Sequence, residues 1–392
     1  MTATSDRVLR PIPYARVGNR STEPAAGDAA SARAGWLDAF RGFTMLCLVS
    51  HGFGVPSLKG FDWAAPIARQ FEHAAWHGMT AWDLVQPFFM FIVGAAMPFA
   101  FAKRLAGGKS WASGLPHVLK RCGLLLFWSH LLSANDAGKW GWDFITVLSQ
   151  IAFTYFVAYL LLPLRWPLQL GAAMGLLVVH WAAFQFWPDV GSGGPWARGD
   201  NFGEHLDRLL IGRNWSGDYA TFNCVSATSA TVGGVLAAQL LRSSVSIVRK
   251  FGYLAAAGVA LIVAGVALDM AGVVPINKRI WTASFALVSV GITLLALLPF
   301  VAVSLTWERV PWGVLIAFGA NCIFLYLASR LFGGHLRRIG QKVLDEPLKW
   351  AAGTSQLDHP DRWVAFAVNA AVLGLLAYVA CWLHRRRIYF KL

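Results

Sequence analysis

The sequence predicts an all-α polytopic membrane protein with about ten transmembrane helices, and three observations carry that expectation. Of the 392 residues, 56% are hydrophobic and only 14% are charged, where a soluble domain carries roughly 25% charged residues. The mean hydropathy is positive, at +0.51. Apolar stretches of about 20 residues, the length that crosses a bilayer core of about 30 Å, recur along the chain.

Residues 1–34 are polar, basic and rich in Ala, Ser, Pro and Arg, with no apolar core to serve as a signal peptide. They read as a disordered cytosolic tail before an uncleaved anchor. The anchor is centred near Leu46. The second stretch, near Phe91, follows the polar and aromatic run "EHAAWHGMTAWD", and the third, near Leu125, follows Lys120 and Arg121. The fourth and fifth centre on Phe153 and Leu176. A Gly-rich polar segment, "PDVGSGGPWARGDNFGEHLDRLLIGRNWSGDYA", separates the fifth from the sixth at Val232. Arg242, Arg249 and Lys250 lie between the sixth and the seventh, at Val263. The eighth and ninth centre on Val290 and Phe324, and the tenth, at Leu373, ends in Arg385, Arg386 and Arg387.

These stretches leave outer loops over residues ~55–81, ~134–143, ~188–220, ~271–280 and ~333–361. A short amphipathic helix is expected in the last, around Leu336–Leu344. No internal repeat with a convincing period appears.

The net charge of +14 would suit nucleic acid, but its placement does not. Lys103, Arg104, Lys109, Lys120 and Arg121, then Arg242, Arg249 and Lys250, then the C-terminal arginines, fall in alternate loops with the basic tail. That is the positive-inside pattern, and it puts both termini in the cytosol. The five cysteines all fall in the apolar stretches and have no metal-ligand or disulfide spacing; they read as small buried hydrophobes.

Polar groups inside the spans are costly in lipid and face a cavity or a partner. Asp38 and Arg41 lie three apart on one helical face, as a neutralising pair or as a contact for an anionic ligand. His51, Asp83, His130, Gln150, His180, Asn223, Gln239, Asn321 and Asn369 are further candidates, each also suited to helix-to-helix hydrogen bonding. Of the nineteen tryptophans, Trp63, Trp76, Trp82, Trp140, Trp142, Trp196, Trp215 and Trp281 fall near the outer interface, as a belt or as platforms for a sugar ring. No nucleotide cradle, zinc motif, nucleophile elbow or kinase set is present, and no metal is expected. His73 stands apart, just before a span and ten residues before Asp83. A neutral imidazole can take a proton from an attacking amine while a nearby carboxylate orients it.

"LDAFRGFTMLCLV", "HAAWHGMTAWDLVQPFFMFIVGAA", "VPINKRIWTASFALVS" and the terminal "RRRIYFKL" together resemble the heparan-α-glucosaminide N-acetyltransferase family and its bacterial relatives. The resemblance runs in order from about Trp36 to Leu392, and the block around His73 is its most specific part. It implies that residues 35–392 form a transmembrane acyltransferase domain. It further implies acetyl transfer from cytosolic acetyl-coenzyme A (acetyl-CoA) to the amine of a glucosamine-like sugar or glycan on the non-cytosolic side, in a bacterial inner membrane and with no nucleic acid partner. His73 matches the family's catalytic histidine, as base or as transient acetyl carrier, with Asp83 as its orienter. Arg41, His51, Asn277 and Lys278 would serve the coenzyme or the developing oxyanion, and a homodimer is compatible with the resemblance. The chain departs from the family at Ser50–Gly52, where relatives carry Asn, at Ser149–Gln150, and in "SGDYATFN". A sugar or solute transporter of the same fold, and a membrane partner without activity, are the alternative classes.

Overall fold

Lipid offers no water to satisfy backbone amides, so a segment that crosses it singly must be helical. The computed structural model describes residues 35–138, 144–188, 193–212, 219–306, 312–354 and 359–390. Among them lie α1 (Gly35–Val49), α2 (Ala65–Arg69), α3 (Val85–Ala106), α4 (Leu115–Ala137), α5 (Val147–Leu161), α6 (Trp166–Gln185) and α7 (Phe202–Ile211). They continue with α8 (Asn223–Arg242), α9 (Ile247–Met270), α10 (Ala283–Thr306), α11 (Gly313–Ala320), α12 (Cys322–Thr354) and α13 (Pro360–Arg385). The protein is an all-α, multi-pass membrane protein.

Every one of the ten expected centres falls inside a helix. Among the described residues, six helices are long and apolar enough to cross a membrane: α3 with the 3₁₀ turn Ala81–Leu84 before it, α6, α8, α9, α10 and α13. The pair α11–α12, bent by 78° at Asn321, makes seven if it is one span. α1 and α5 are each described over 15 residues, about 22 Å of helix, short of a core of about 30 Å.

Close backbone approach holds the bundle together, because hydrocarbon supplies no hydrophobic drive between helices. α3 packs on α8 and α1 on α11. A Cβ at Gly94 of α3 would sit 1.8 Å from the Thr231 carbonyl of α8, and one at Gly234 would sit 1.9 Å from the Phe91 carbonyl. Gly42 and Gly319 do the same for α1 and α11. Buried hydroxyls of α8 bond to backbone: Thr228 to the Cys224 carbonyl at 2.7 Å and Ser229 to the Ser226 carbonyl at 2.7 Å. The Arg242 guanidinium donates to the Pro98 carbonyl at 2.5 Å, tying α3 to the end of α8. The five cysteines are free and lie in helices.

Two sequence expectations change. Residues 333–354 are not a loop with a short helix at Leu336–Leu344. They continue α12, which runs unbroken over 33 residues in all, about 50 Å, well beyond the bilayer core. Gly333 and Gly334, where the loop was expected to start, both have helical backbone, and an i,i+4 pair between Asp345 and Lys349 at 3.0 Å supports the distal turns. Trp281 is not in an aromatic belt: it is fully buried against Phe285. The tail at residues 1–34 and Trp140, Trp142 and Trp215 lie outside the described residues.

The helices sort the connecting segments to two ends of the bundle. The segments before α3, after α6 and after α9 meet at one end through Gly78–Ile276 and Trp76–Trp196, while Asn321 at the opposite end binds residues beyond α13. There Asn321 Nδ2 donates to the Ile388 carbonyl at 3.1 Å, and the Phe390 amide donates to Asn321 Oδ1 at 3.1 Å.

Candidate active site

Thr80-Ala81-Trp82-Asp83 has the spacing of a capping box, in which the third residue after the cap reaches back to the cap amide. Thr80 is extended (φ −120°, ψ 171°) and begins the 3₁₀ turn that runs into α3. Asp83 Oδ2 accepts from the Thr80 amide at 3.0 Å and from the Ala74 amide at 3.2 Å. The Thr80 hydroxyl lies 3.1 Å from the same oxygen and donates to the Glu72 carbonyl at 2.6 Å. With the Asp83 side chain only 1% exposed, these donors supply what water cannot; a buried carboxylate without them would be costly. Oδ1 is left to face His73, whose Nδ1 is 2.7 Å away.

The second wall comes from the segment between α9 and α10. Asn277 is buried and organises it: Oδ1 accepts from the Arg279 and Ile280 amides at 2.8 and 3.2 Å, and the Asn277 amide donates to Thr282 Oγ1 at 3.0 Å. α8 adds two clamps, from Asn223 Nδ2 to the Arg279 carbonyl and from Ser226 Oγ to the Trp281 carbonyl, both at 2.6 Å. Trp281 holds a left-handed backbone (φ 48°), a strained state for a bulky residue that persists only where the surroundings enforce it.

This turn aims Lys278 at the dyad. Its Nζ lies 3.1 Å from His73 Nδ1 and 3.6 Å from Asp83 Oδ1. The Lys278 side chain is 7% exposed. Burial pushes its ammonium down to about 8, although Asp83 favours the charge.

The two walls are stitched together. The Gly78 amide donates to the Ile276 carbonyl at 2.8 Å beside the isolated parallel bridge Gly78–Asn277. Arg279 Nε reaches the Ala74 carbonyl at 3.4 Å. His77 Nε2 contacts Asp269 Oδ1 at 2.7 Å. On the far side Trp76 Nε1 donates to the Trp196 carbonyl at 3.0 Å, and Trp196 stacks on Phe184.

A nitrogen lone pair and a carboxylate oxygen repel at 2.7 Å, so the proton belongs between them. His73 therefore donates from Nδ1–H to Asp83, which leaves the lone pair on Nε2. Among the described residues Nε2 has no hydrogen-bond partner, and the His73 side chain is 38% exposed. The imidazole is oriented from behind and open in front, as a base or a nucleophile must be.

Of the six site residues expected from sequence, the structure brings His73, Asp83 and Lys278 into contact, with Asn277 adjacent. Arg41 and His51 are elsewhere. Arg41 pairs with Asp38 at 3.0 Å, ten residues up the chain from His51. His51 lies beyond α1 and starts the 3₁₀ turn Gly52–Leu58 in a left-handed conformation (φ 47°); burial, then the charges of Arg337 and Arg330, push it down to about 4. That environment disfavours an imidazolium. Sequence reading passed over Thr80, the Ala74 amide and the His77–Asp269 pair. The T-x-x-D spacing was the available signal for Thr80.

Fold and site define a multi-pass helical membrane protein with a histidine–carboxylate–lysine cluster at one end of its bundle. The chain resembles the heparan-alpha-glucosaminide N-acetyltransferases. It is 24% identical over 423 residues to "Heparan-alpha-glucosaminide N-acetyltransferase" of Homo sapiens, covering 91% of this chain and 59% of that protein. It is 23% identical over 424 residues to the protein of that name from Mus musculus, covering 91% of this chain and 60% of that protein. The chain thus spans about three fifths of the length of the curated relatives it matches. A family model described as a domain of unknown function (DUF5009) matches residues 33–156, the segment that contains His73 and Asp83.

Proposed function

We propose that the chain is a membrane-embedded acyltransferase moving an acetyl group from cytosolic acetyl-CoA to the amine of a glucosamine-like acceptor on the opposite side. The observation that carries this reading is the His73–Asp83 contact of 2.7 Å, with Nε2 left open, in a chain resembling N-acetyltransferases over nine tenths of its length. The acceptor's neutral amine attacks the thioester carbonyl carbon while Nε2 accepts the amine proton. The C–N bond forms, the C–S bond breaks, and the thiolate leaves and takes up the proton. The same lone pair can instead attack the thioester and carry the acetyl group on His73. Trapping of acetyl-His73 in the absence of acceptor separates the two routes.

The other end of α3 supports a donor entering from the opposite face. A hollow of about 700 Å³ is lined by Arg104, Lys109, Ser110, Ser113 and His117, with no carboxylate in its lining, which suits phosphate groups. Nineteen residues of helix, about 28 Å, separate it from the start of α3 beside Asp83. The test is transfer of radiolabelled acetyl from acetyl-CoA to a panel of amino sugars. Label is expected on glucosamine-type amines and not on hydroxyl-only sugars; label on neither, with binding of coenzyme A absent, would overturn the reading.

One observation favours a second reading. The bend of 78° between α11 and α12 is the kind of discontinuous span that lines transporter sites. Sugar flux across proteoliposomes without acetyl transfer would select it.

The proposed orientation, with both termini cytosolic in a bacterial inner membrane, has its own test. In intact cells a tag at either terminus should resist an impermeant reagent, whereas Trp63→Cys, at a 63% exposed position, should be labelled. Labelling of both termini from outside reverses the orientation.

A further inference from the structure

We infer that Lys278 is a positioning residue that keeps the His73 imidazole neutral, by competing with it for the single negative charge of Asp83. The consequence for rate rests on the acyl-transfer reading; the electrostatics do not.

Three groups share one poorly solvated spot. Asp83 Oδ1 lies 2.7 Å from His73 Nδ1 and 3.6 Å from Lys278 Nζ, and the two nitrogens are 3.1 Å apart. A neutral imidazole, an ammonium and a carboxylate sum to zero. Protonating Nε2 would put two cations side by side around one anion that is already engaged. An opposite charge within about 4–6 Å favours a charged form and a like charge disfavours it, so Asp83 and Lys278 pull the imidazole in opposite directions.

The other charged groups nearby reinforce the lysine. Arg279 approaches the segment after His73 through the Ala74 carbonyl, and its guanidinium lies 5.6 Å over the Tyr219 ring, with Lys278 5.8 Å from that ring. Burial pushes the Tyr219 hydroxyl up, so it offers no negative charge. Glu72 is paired with Lys59 at 2.5 Å, and Asp269 with His77. Asp83 is therefore the carboxylate that His73 and Lys278 must divide. Lys278 carries its charge at neutral pH, because even with burial its ammonium titrates near 8.

Without the ammonium, the whole charge of Asp83 would stabilise an imidazolium. Nε2 would then hold a proton more tightly than it does beside the ammonium, and be less free for an amine or a thioester. A lysine that merely filled space would leave that balance unchanged.

The test uses the full chain in lipid nanodiscs and needs no acyl donor. Diethyl pyrocarbonate reacts with unprotonated imidazole, and mass spectrometry of the His73 peptide follows its extent against pH. In Lys278→Met and Lys278→Gln the half-reaction pH is expected to rise by about one unit; in Asp83→Asn it is expected to fall. If Lys278→Met does not fold, Lys278→Gln carries the comparison, with Lys278→Arg expected to restore the native midpoint. An unmoved or lowered midpoint in the folded lysine variants overturns the inference. Failure of the native chain to transfer acetyl would instead strike the acyltransferase reading and leave these midpoints standing.

Discussion

Replacing His73 by alanine is expected to lower acetyl transfer by about 10²- to 10⁴-fold, the usual size of a lost general base, while folding and coenzyme binding persist. The imidazole is 38% exposed, and its hydrogen-bonding partners among the described side chains are Asp83 and Lys278, which remain to pair with each other at 3.6 Å. Removal therefore strands no buried charge. His77→Ala is the matched control. His77 sits four residues on, also touches a carboxylate at 2.7 Å, and has a side chain that is 64% exposed. Its loss frees one oxygen of Asp269 that the Ile276 amide still engages at 2.8 Å. A small, equal effect of the two substitutions on initial rates would remove His73 from the chemistry.

The second large effect is structural and reaches the site through the α3–α8 crossing. In Gly94→Ala the new Cβ would lie 1.8 Å from the Thr231 carbonyl oxygen, a backbone atom that no side-chain rotation can move. The helices have to part, and overpacking of this kind costs about 1–3 kcal/mol or more. α3 begins beside Asp83, and α8 begins at Asn223, which clamps the Arg279 carbonyl. Parting them should pull Asp83 away from Lys278 as well as loosen the bundle. Gly123→Ala, on α4 where a Cβ meets nothing within 4 Å, should be silent. Thermal midpoints by fluorescence-detected size exclusion decide it: equal midpoints for the two variants would mean the α3–α8 crossing has room for a methyl group.

The membrane class and the helical content were legible because they follow from local composition. Twenty apolar residues commit to a helix in lipid whatever their neighbours do, so all ten centres landed in helices. The number of full crossings was less legible, since α1 and α5 are short and α11–α12 breaks at Asn321. The extent of α12 was misjudged for a related reason. The loop was expected to start at Gly333, but a glycine ends a helix only where the chain turns left-handed, and a sequence does not display φ.

At the site, the sequence by itself determined the pieces. His73 and Asp83 sit in one block, and the T-x-x-D spacing that turns the carboxylate inward is local chemistry. What only the tertiary structure decided is the company they keep. Lys278 is 205 residues from His73 in the chain and 3.1 Å from it in space. Arg41, by contrast, stays with its helical neighbour Asp38, and His51 faces the arginines of α12. Contact between distant segments depends on which helices cross and how closely. Those crossings are set by glycines whose missing side chains matter only because a particular carbonyl lies opposite, so no single stretch of the chain contains the information.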